Sequence, residues 1–301
     1  MRHFHEFAVR EHGVMRGYSW TRTVLARAGL VMPGKRGGAH RLRRPRKPMR
    51  GMMLHQDASK HVWFGVDYCD LVVTLDDATS EITSAFFCAE EGIASSMRGL
   101  YETIAKHGLF CAFYTDRGSH YFLTPEAGGK VDKSHPTQVG RALRQLGIEH
   151  IAAYSPEARG RSERMFGTLQ GRLVNELKLA GIDDIDAANH YLREAYLPRH
   201  NARFSVEPEC AISAFMPVTG FDVANVLCIQ EERRVSADNT VHYRGKKLQI
   251  PPSPIRHHFV KARVRVHHYP DNTLAIFHGP RQIGRYGEDG TPMQEEKKIA
   301  A

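Results

Sequence analysis

Three carboxylates in this 301-residue chain stand where elements of structure begin or end: Asp57 after the run MMLHQ, Asp116 closing LFCAFYTD, and Glu163 in the first turn of a helix led by SPEARGRSE. One acid at a strand end is ordinarily a turn former, because its side chain bonds the backbone of the next two residues. Three acids converging on one sheet edge are a different matter. Like charges within a few Å destabilise each other unless a cation neutralises them. Oxygen-only ligands suit Mg²⁺ or Mn²⁺, which keep part of their water shell and take their remaining ligands from phosphates. Two such ions about 4 Å apart can activate an attacking hydroxyl and stabilise the leaving oxygen of an in-line phosphoryl displacement.

Other acids compete for these roles. Asp76 and Asp77 fall in a turn between two strands and read as turn caps. Asp70, Glu126, Asp132 and Glu157 are alternative third carboxylates. Glu157 is the strongest of them, and the pattern places it outside the helix, in the S-P-E-A turn. Glu163 instead opens the Met165, Leu169, Leu173 stripe that would dock the helix on a sheet, and it is the favoured third ligand. Arg117 and His120, close to Asp116, either approach a scissile phosphate or brace their loop. The five cysteines are scattered with no C-x-x-C pair, which suggests neither a disulfide framework nor a zinc site. The 18 histidines show no metal-binding spacing.

The elements that must position the acids follow from periodicity. LVVTLDD (71–77) and SEITSAFFCA (80–89) are β-rich runs across a tight turn, with a further strand around MMLHQDAS. EGIASSMRGLYETIAKHG switches to helical period, with Ile93, Met97, Leu100 and Ile104 on one face and Gly108 as its stop. LFCAFYTD reads as a strand buried on both faces. TQVGRALRQLG is a second helix, IEHIAAYS another strand, and GRSERMFGTLQGRLVNELKLAG a third helix. This succession predicts an α/β layered domain, in which functional groups gather at strand ends.

Charge sets the flanks apart. Residues 1–50 hold thirteen Lys or Arg against two Glu, a local +11 in a chain of net +9, so the remainder carries −2. The excess peaks in GKRGGAHRLRRPRKPMR (34–50), an acid-free, Gly- and Pro-containing run that reads as an arm lying along phosphates. Before it, GYSWTRTVLARAGLV predicts a short helix capped by Ser19 or Thr21 and ended by Gly29, with Val24, Leu25 and Ala28 on one face and Arg22 and Arg27 on the other. A basic helix followed by a basic loop fits the last helix of a helix-turn-helix unit. Arg22, Arg27, Arg43, Arg44, Arg46 and Lys47 are therefore candidate DNA contacts. No apolar run reaches the ~18 residues of a membrane span, and a cytoplasmic protein is expected.

The motifs HQDAS, LVVTLDDATSEI, YTDRGSHY and AYSPEARGRSERMFGTLQGRL, in this order, resemble the catalytic core of insertion-sequence transposases related to retroviral integrases, the DDE superfamily, and most closely the ISNCY type. The resemblance covers roughly residues 50–215. It implies an RNase H-like core, a mixed five-stranded sheet with flanking helices, over residues 51–215, preceded by a partial helix-turn-helix-like segment (1–50) and followed by a small β-barrel and tail (216–301). It places the metal-binding acids on Asp57, Asp116 and Glu163, with two Mg²⁺ or Mn²⁺ ions per site. Arg117 and Gln170 join the candidate DNA contacts, Gln170 because it shares the helix face of Glu163. In the terminal barrel Lys246, Lys247, Arg263 and Arg265 are positioned to track phosphates. The implied activity is nicking at a transposon end and strand transfer into target DNA, by a homodimer or higher oligomer on double-stranded DNA. Two rivals are a non-catalytic DNA-binding derivative and an RNase H-like nuclease that cleaves without joining.

Overall fold

The computed structural model describes residues 1–31, 44–126, 129–154, 156–253 and 256–293. The expectations for residues 34–43, Arg43 among them, lie outside the described residues. Two helices open the chain, α1 (Arg2–His12) and α2 (Tyr18–Arg27). Gly17 is the N-cap of α2, so Ser19 and Thr21 lie inside the helix. Its buried residue is Thr21, joined to His5 Nδ1 at 3.0 Å, while Val24 of the expected apolar face is 40% exposed. Gly29 follows the helix at φ 70°, the left-handed conformation that glycine adopts without a Cβ penalty.

The central sheet joins β1 (Met53–His61), β2 (Cys69–Asp76) and β3 (Ile82–Cys88) as an antiparallel meander. Helix α3 (Ile93–His107) then returns the chain to β4 (Ala112–Thr115), and α4 (Gln138–Gln145) returns it to β5 (Glu149–Ala152). Both of these strands run parallel to β1, and the order across the sheet is β3-β2-β1-β4-β5. Every residue of β2 is buried, as expected for a strand covered on both faces. On one face Leu54 and Phe113 pack with Met97, Leu100, Ile104, Val139 and Leu143 of α3 and α4. On the other, Leu71, Val73, Leu75 and Phe87 meet Met165, Phe166, Leu169, Leu173 and Leu177 of α5 (Pro156–Leu179). Burial of each such side chain is worth about 1.5–3 kcal/mol.

Helix α5 starts earlier than its apolar stripe suggests. Pro156 is its first residue, a place proline tolerates because the first N–H of a helix has no intrahelical acceptor. Glu157 therefore lies within the helix rather than in a preceding turn, and Glu163 is the eighth residue rather than part of the first turn.

After α5 the chain forms α6 (Ile185–Tyr191), a π-helical turn (Leu192–Tyr196) and α7 (Leu197–Phe204). These helices close the outer edge of β3. The Asn201 amide accepts from Ile82 N and donates to Ile82 O, both at 2.9 Å. Asn189 does the same at Phe87, at 2.7 and 3.0 Å. Helix α1 docks on α5 and α7: Glu6 pairs with Arg172 of α5 at 2.7 Å and Arg203 of α7 at 2.5 Å, and His3 reaches Glu176 of α5 at 3.0 Å.

The C-terminal strands form an antiparallel sheet in the order β11-β10-β9-β6, with β6 (Ile229–Arg234), β9 (Arg263–His268), β10 (Leu274–His278) and β11 (Arg281–Tyr286). A separate hairpin, β7 (Thr240–Tyr243) and β8 (Lys246–Gln249), shares its core through Val241, Leu248, Val266, Ile276 and Tyr286. Among the described residues these strands do not close into the expected barrel. Period-2 alternation names the inward face of a strand, but that face is the same in a closed barrel and in two packed sheets. Arg141 of α4 ties this module to the core by donating to the carbonyls of Val226 (3.1 Å) and Cys228 (2.6 Å). No helix among the described residues is long and apolar enough to cross a membrane.

Buried histidines make this fold acid-sensitive. Burial, reinforced by neighbouring arginines, brings His107, His200 and His267 down to about 4, and burial takes His150 to about 3. Between pH 6.5 and 4 the unfolded chain binds protons that the folded chain refuses, so this contribution is complete above pH 6.5 and lost as pH falls. Glu176 and Asp77, both held to about 2, extend the loss below pH 4.5 in the same direction. Urea midpoints are expected to be flat above pH 7 and to fall steadily towards pH 4.5. A midpoint unchanged at pH 5 would show that these histidines are not held neutral.

Candidate active site

Strand register brings the two aspartates together. The last β1–β4 pair is His55 with Tyr114; Asp57 lies two residues further along β1, and Asp116 follows Thr115, the last residue of β4. Neighbouring strands are about 4.8 Å apart, and residues on one rung of a parallel pair point to the same face. The His55 and Tyr114 rings, 5.0 Å apart, show which face that is, and the two-residue period carries Asp57 and Ser59 of β1 onto it. Helix α5 covers this face. Gln170 Nε2 donates to Ser59 Oγ at 3.0 Å, and Glu163, two helical turns before Gln170, lies exposed on the same side of the helix.

Asp116 also shapes its own loop, because Gly118 N donates to Asp116 Oδ1 at 2.8 Å. A Cβ at position 118 would fall 3.0 Å from that oxygen and 2.9 Å from the His120 ring, so the turn needs glycine by close approach. His120 Nε2 stands 3.4 Å from Glu91 Oε1, an electrostatic contact without hydrogen-bond geometry. Burial, followed by the charges of Glu91, Asp116 and Asp57, raises the Tyr121 phenol well above its usual value and keeps it protonated. Sequence reading missed Glu91, another acid beyond a strand end, whose only signal was its place between β3 and α3.

A set of carboxylates on β1, beyond β4 and on a facing helix offers the oxygen-only donors that a hard divalent cation takes. The donor chemistry fits Mg²⁺ or Mn²⁺. Among the described residues, however, no group of three or more His, Cys, Asp or Glu is gathered closely enough to hold an ion. Asp57 lies on β1, Asp116 just past the end of β4, and Glu163 on the covering helix.

Asp77 anchors that helix. Its carboxylate is fully buried and receives Arg44, Arg161 of α5, His55 Nε2 at 2.7 Å and the main-chain N–H of Lys47 at 2.7 Å. Burial opposes ionisation, yet the bonds from His55 and Lys47 and the Arg161 charge hold the group down to about 2. His55 itself is shifted down by burial, so its contact is a hydrogen bond from a neutral ring rather than an ion pair. Asp76 is a turn cap as expected, accepting from Thr79 N and Thr79 Oγ1 at 2.8 and 2.9 Å, and from Gly51 N at 2.8 Å.

The candidate DNA contacts scatter over different surroundings. Arg22 and Arg27 are exposed on α2. Arg44 pairs with Asp77 and lies 5.5 Å from the Tyr114 ring centre, and Arg46 donates to the carbonyls of Asp77 and Ala78 at 3.0 and 3.1 Å. This part of the basic arm is thus fastened to the core. Arg117 donates to Gly129 O at 2.8 Å and stacks 5.1 Å from Tyr154, bracing its loop. In the C-terminal module Lys247 pairs with Asp238 and Arg263 with Glu232. A groove of about 360 Å³ on the far flank of α5 collects Arg46, Arg161, Arg164, Thr168 and His200.

A mixed sheet in the order β3-β2-β1-β4-β5, covered by helices on both faces, is an RNase H-like fold. In sequence the chain is homologous to transposases. It is 32% identical to the putative transposase y4bF of Sinorhizobium fredii (strain NBRC 101917 / NGR234) over 256 residues, 84% of this chain and 55% of that protein. It is 32% identical over 169 residues to the transposase for insertion sequence IS1202 of Streptococcus pneumoniae, 56% of this chain and 36% of that protein. The chain thus spans about half or less of the length of these relatives. No family model matches it. Among solved structures it is similar to a chain of the simian T-cell lymphotropic virus intasome in complex with PP2A regulatory subunit B56 gamma (TM-score 0.42, 17% identity, 76% of this chain and 74% of that one). A second is the HTLV-2 integrase catalytic core domain in complex with magnesium (TM-score 0.37, 16% identity, 49% of this chain and 89% of that one).

Proposed function

We propose that this chain carries the catalytic core of an insertion-sequence transposase, which nicks DNA at a transposon end to release a 3′-hydroxyl and joins that hydroxyl to a target phosphodiester. The reading is supported by the parallel pairing of β1 with β4, whose last pair, His55 with Tyr114, stands two residues before Asp57 and Asp116, and by the packing of the helix bearing Glu163 on the same sheet. Asp57, Asp116 and Glu163 would hold Mg²⁺ or Mn²⁺, two ions by the chemistry of the class, which supply Lewis-acid activation of the attacking hydroxyl and charge neutralisation at the leaving oxygen. The chain's own contribution is position: β1 and the loop after β4 fix two carboxylates, and Asp77 with Arg161 fixes the helix that carries the third. No covalent protein intermediate is needed, since water and then the DNA 3′-hydroxyl are the nucleophiles.

The partner is double-stranded DNA, both transposon ends and target, approached with Arg22, Arg27, Arg43, Arg44, Arg46, Lys47, Arg117 and Gln170 as candidate contacts. Joining two ends coordinately calls for a dimer or larger assembly, working in the cytoplasm where the DNA lies. The test is Mn²⁺-dependent nicking and strand joining on supercoiled plasmid with oligonucleotide ends. Nicking without joining would favour the nuclease reading, and DNA binding with neither reaction would favour a non-catalytic DNA-binding protein.

A further inference from the structure

On the side of the sheet facing away from α5, a buried polar chain runs beneath the two aspartates. Gln56 immediately precedes Asp57, and alternation along β1 turns its side chain to the α3 face. Its Oε1 accepts from the Tyr121 hydroxyl at 2.8 Å, and its Nε2 donates to Thr74 Oγ1 at 3.0 Å and to Ser96 O at 3.4 Å. Gln56, Tyr121, Thr74 and Ser96 are each no more than 2% exposed. A buried amide is costly unless it is hydrogen-bonded, and an apolar residue would fill this space more simply.

Helix α3 makes a second concession at the same point. Gly99 sits in its interior, where glycine costs about 1 kcal/mol relative to alanine. A Cβ there would lie 2.3 Å from Gln56 Nε2 and 3.1 Å from Thr74 Oγ1, so the glycine makes room for the Gln56 amide. The other end of the chain belongs to the Asp116 loop. Tyr121 N and Phe122 N both donate to Gly118 O at 2.9 Å, in the turn whose Gly118 N holds Asp116. One hydrogen bond, Tyr121 to Gln56, therefore ties the loop of one aspartate to the residue beside the other.

We infer that Tyr121 and Gln56 are positioning residues, whose hydrogen bond sets the separation of Asp57 and Asp116 for a shared divalent cation; this rests on the metal-dependent reading above. The phenol donates to Gln56 Oε1 here. Residues that orient metal ligands typically change metal affinity by about 10–100-fold when removed.

The test is Mn²⁺ binding to the DNA-free protein, read from the loss of the free-ion EPR signal, so that it needs no turnover. Tyr121→Phe removes one oxygen, and Gly99→Ala displaces the Gln56 amide while improving the helix former in α3. Each is expected to weaken Mn²⁺ binding roughly tenfold with the far-ultraviolet CD spectrum intact, and the double variant to be little weaker than either alone. Binding at the level of the intact chain in both variants overturns the inference and leaves the metal reading standing. If the intact chain shows no Mn²⁺ binding that Asp116→Asn removes, the metal reading falls and the inference falls with it.

Discussion

Glu163→Gln is expected to lower Mn²⁺-dependent nicking and joining by about 10³-fold, because losing a metal-held charge is worth several kcal/mol at the transition state and each 1.4 kcal/mol is tenfold in rate. The substitution is nearly isosteric and Glu163 is exposed, so folding should be unaffected. DNA retention should persist or tighten slightly, since one negative charge near the phosphates is gone. Glu157→Gln is the control. It lies six residues earlier in the sequence and is the competing third ligand, and its activity should remain within about twofold of the intact chain where Glu163 holds that role. Equal loss in both variants, or loss only in Glu157→Gln, would move the third ligand away from Glu163.

The second large effect is on stability. Asp77→Asn keeps the shape of the side chain but removes the only anion among Arg44, Arg161 and His55 in their shared contact. Breaking a buried ion pair by removing one partner typically costs about 3–5 kcal/mol, because the charge left behind is uncompensated. A matching drop in unfolding free energy is expected from denaturant titration, with slope unchanged. Arg44→Met, which removes the more exposed cation instead, should cost much less. If the two variants lost the same stability, Asp77 would be no more than another turn cap.

The contrast between Asp76 and Asp77 shows what was legible in the sequence. A turn cap is a local event, and Asp76 bonds Thr79 three residues on, within reach of any turn argument. The partners of Asp77 lie 22, 33 and 84 residues away at His55, Arg44 and Arg161, and only the fold brings them together. Likewise the strands and the stripes of α3, α4 and α5 follow from period alone, whereas Asp57, read as closing its strand after MMLHQ, is the fifth of the nine residues of β1, because the strand continues through the polar ASKH segment to His61. The start of α5 did not follow, because S-P reads as a turn until the preference of proline for the first helical position is weighed. Gly99 in the interior of α3 is explained by the Gln56 amide packed against it, a contact with no local signature in the sequence. The closure of the C-terminal strands depends on register between distant segments, which alternation does not carry.

The amides of Asn189 and Asn201 have a consequence beyond the packing of α6 and α7. A strand at the border of a sheet offers a row of donors and acceptors to any extended segment that meets it, which is how soluble proteins polymerise into fibres. At Ile82 and Phe87 those positions are already taken by side chains that imitate a neighbouring strand and then stop. An extended segment that met β3 would find the main-chain groups of Ile82 and Phe87 already engaged.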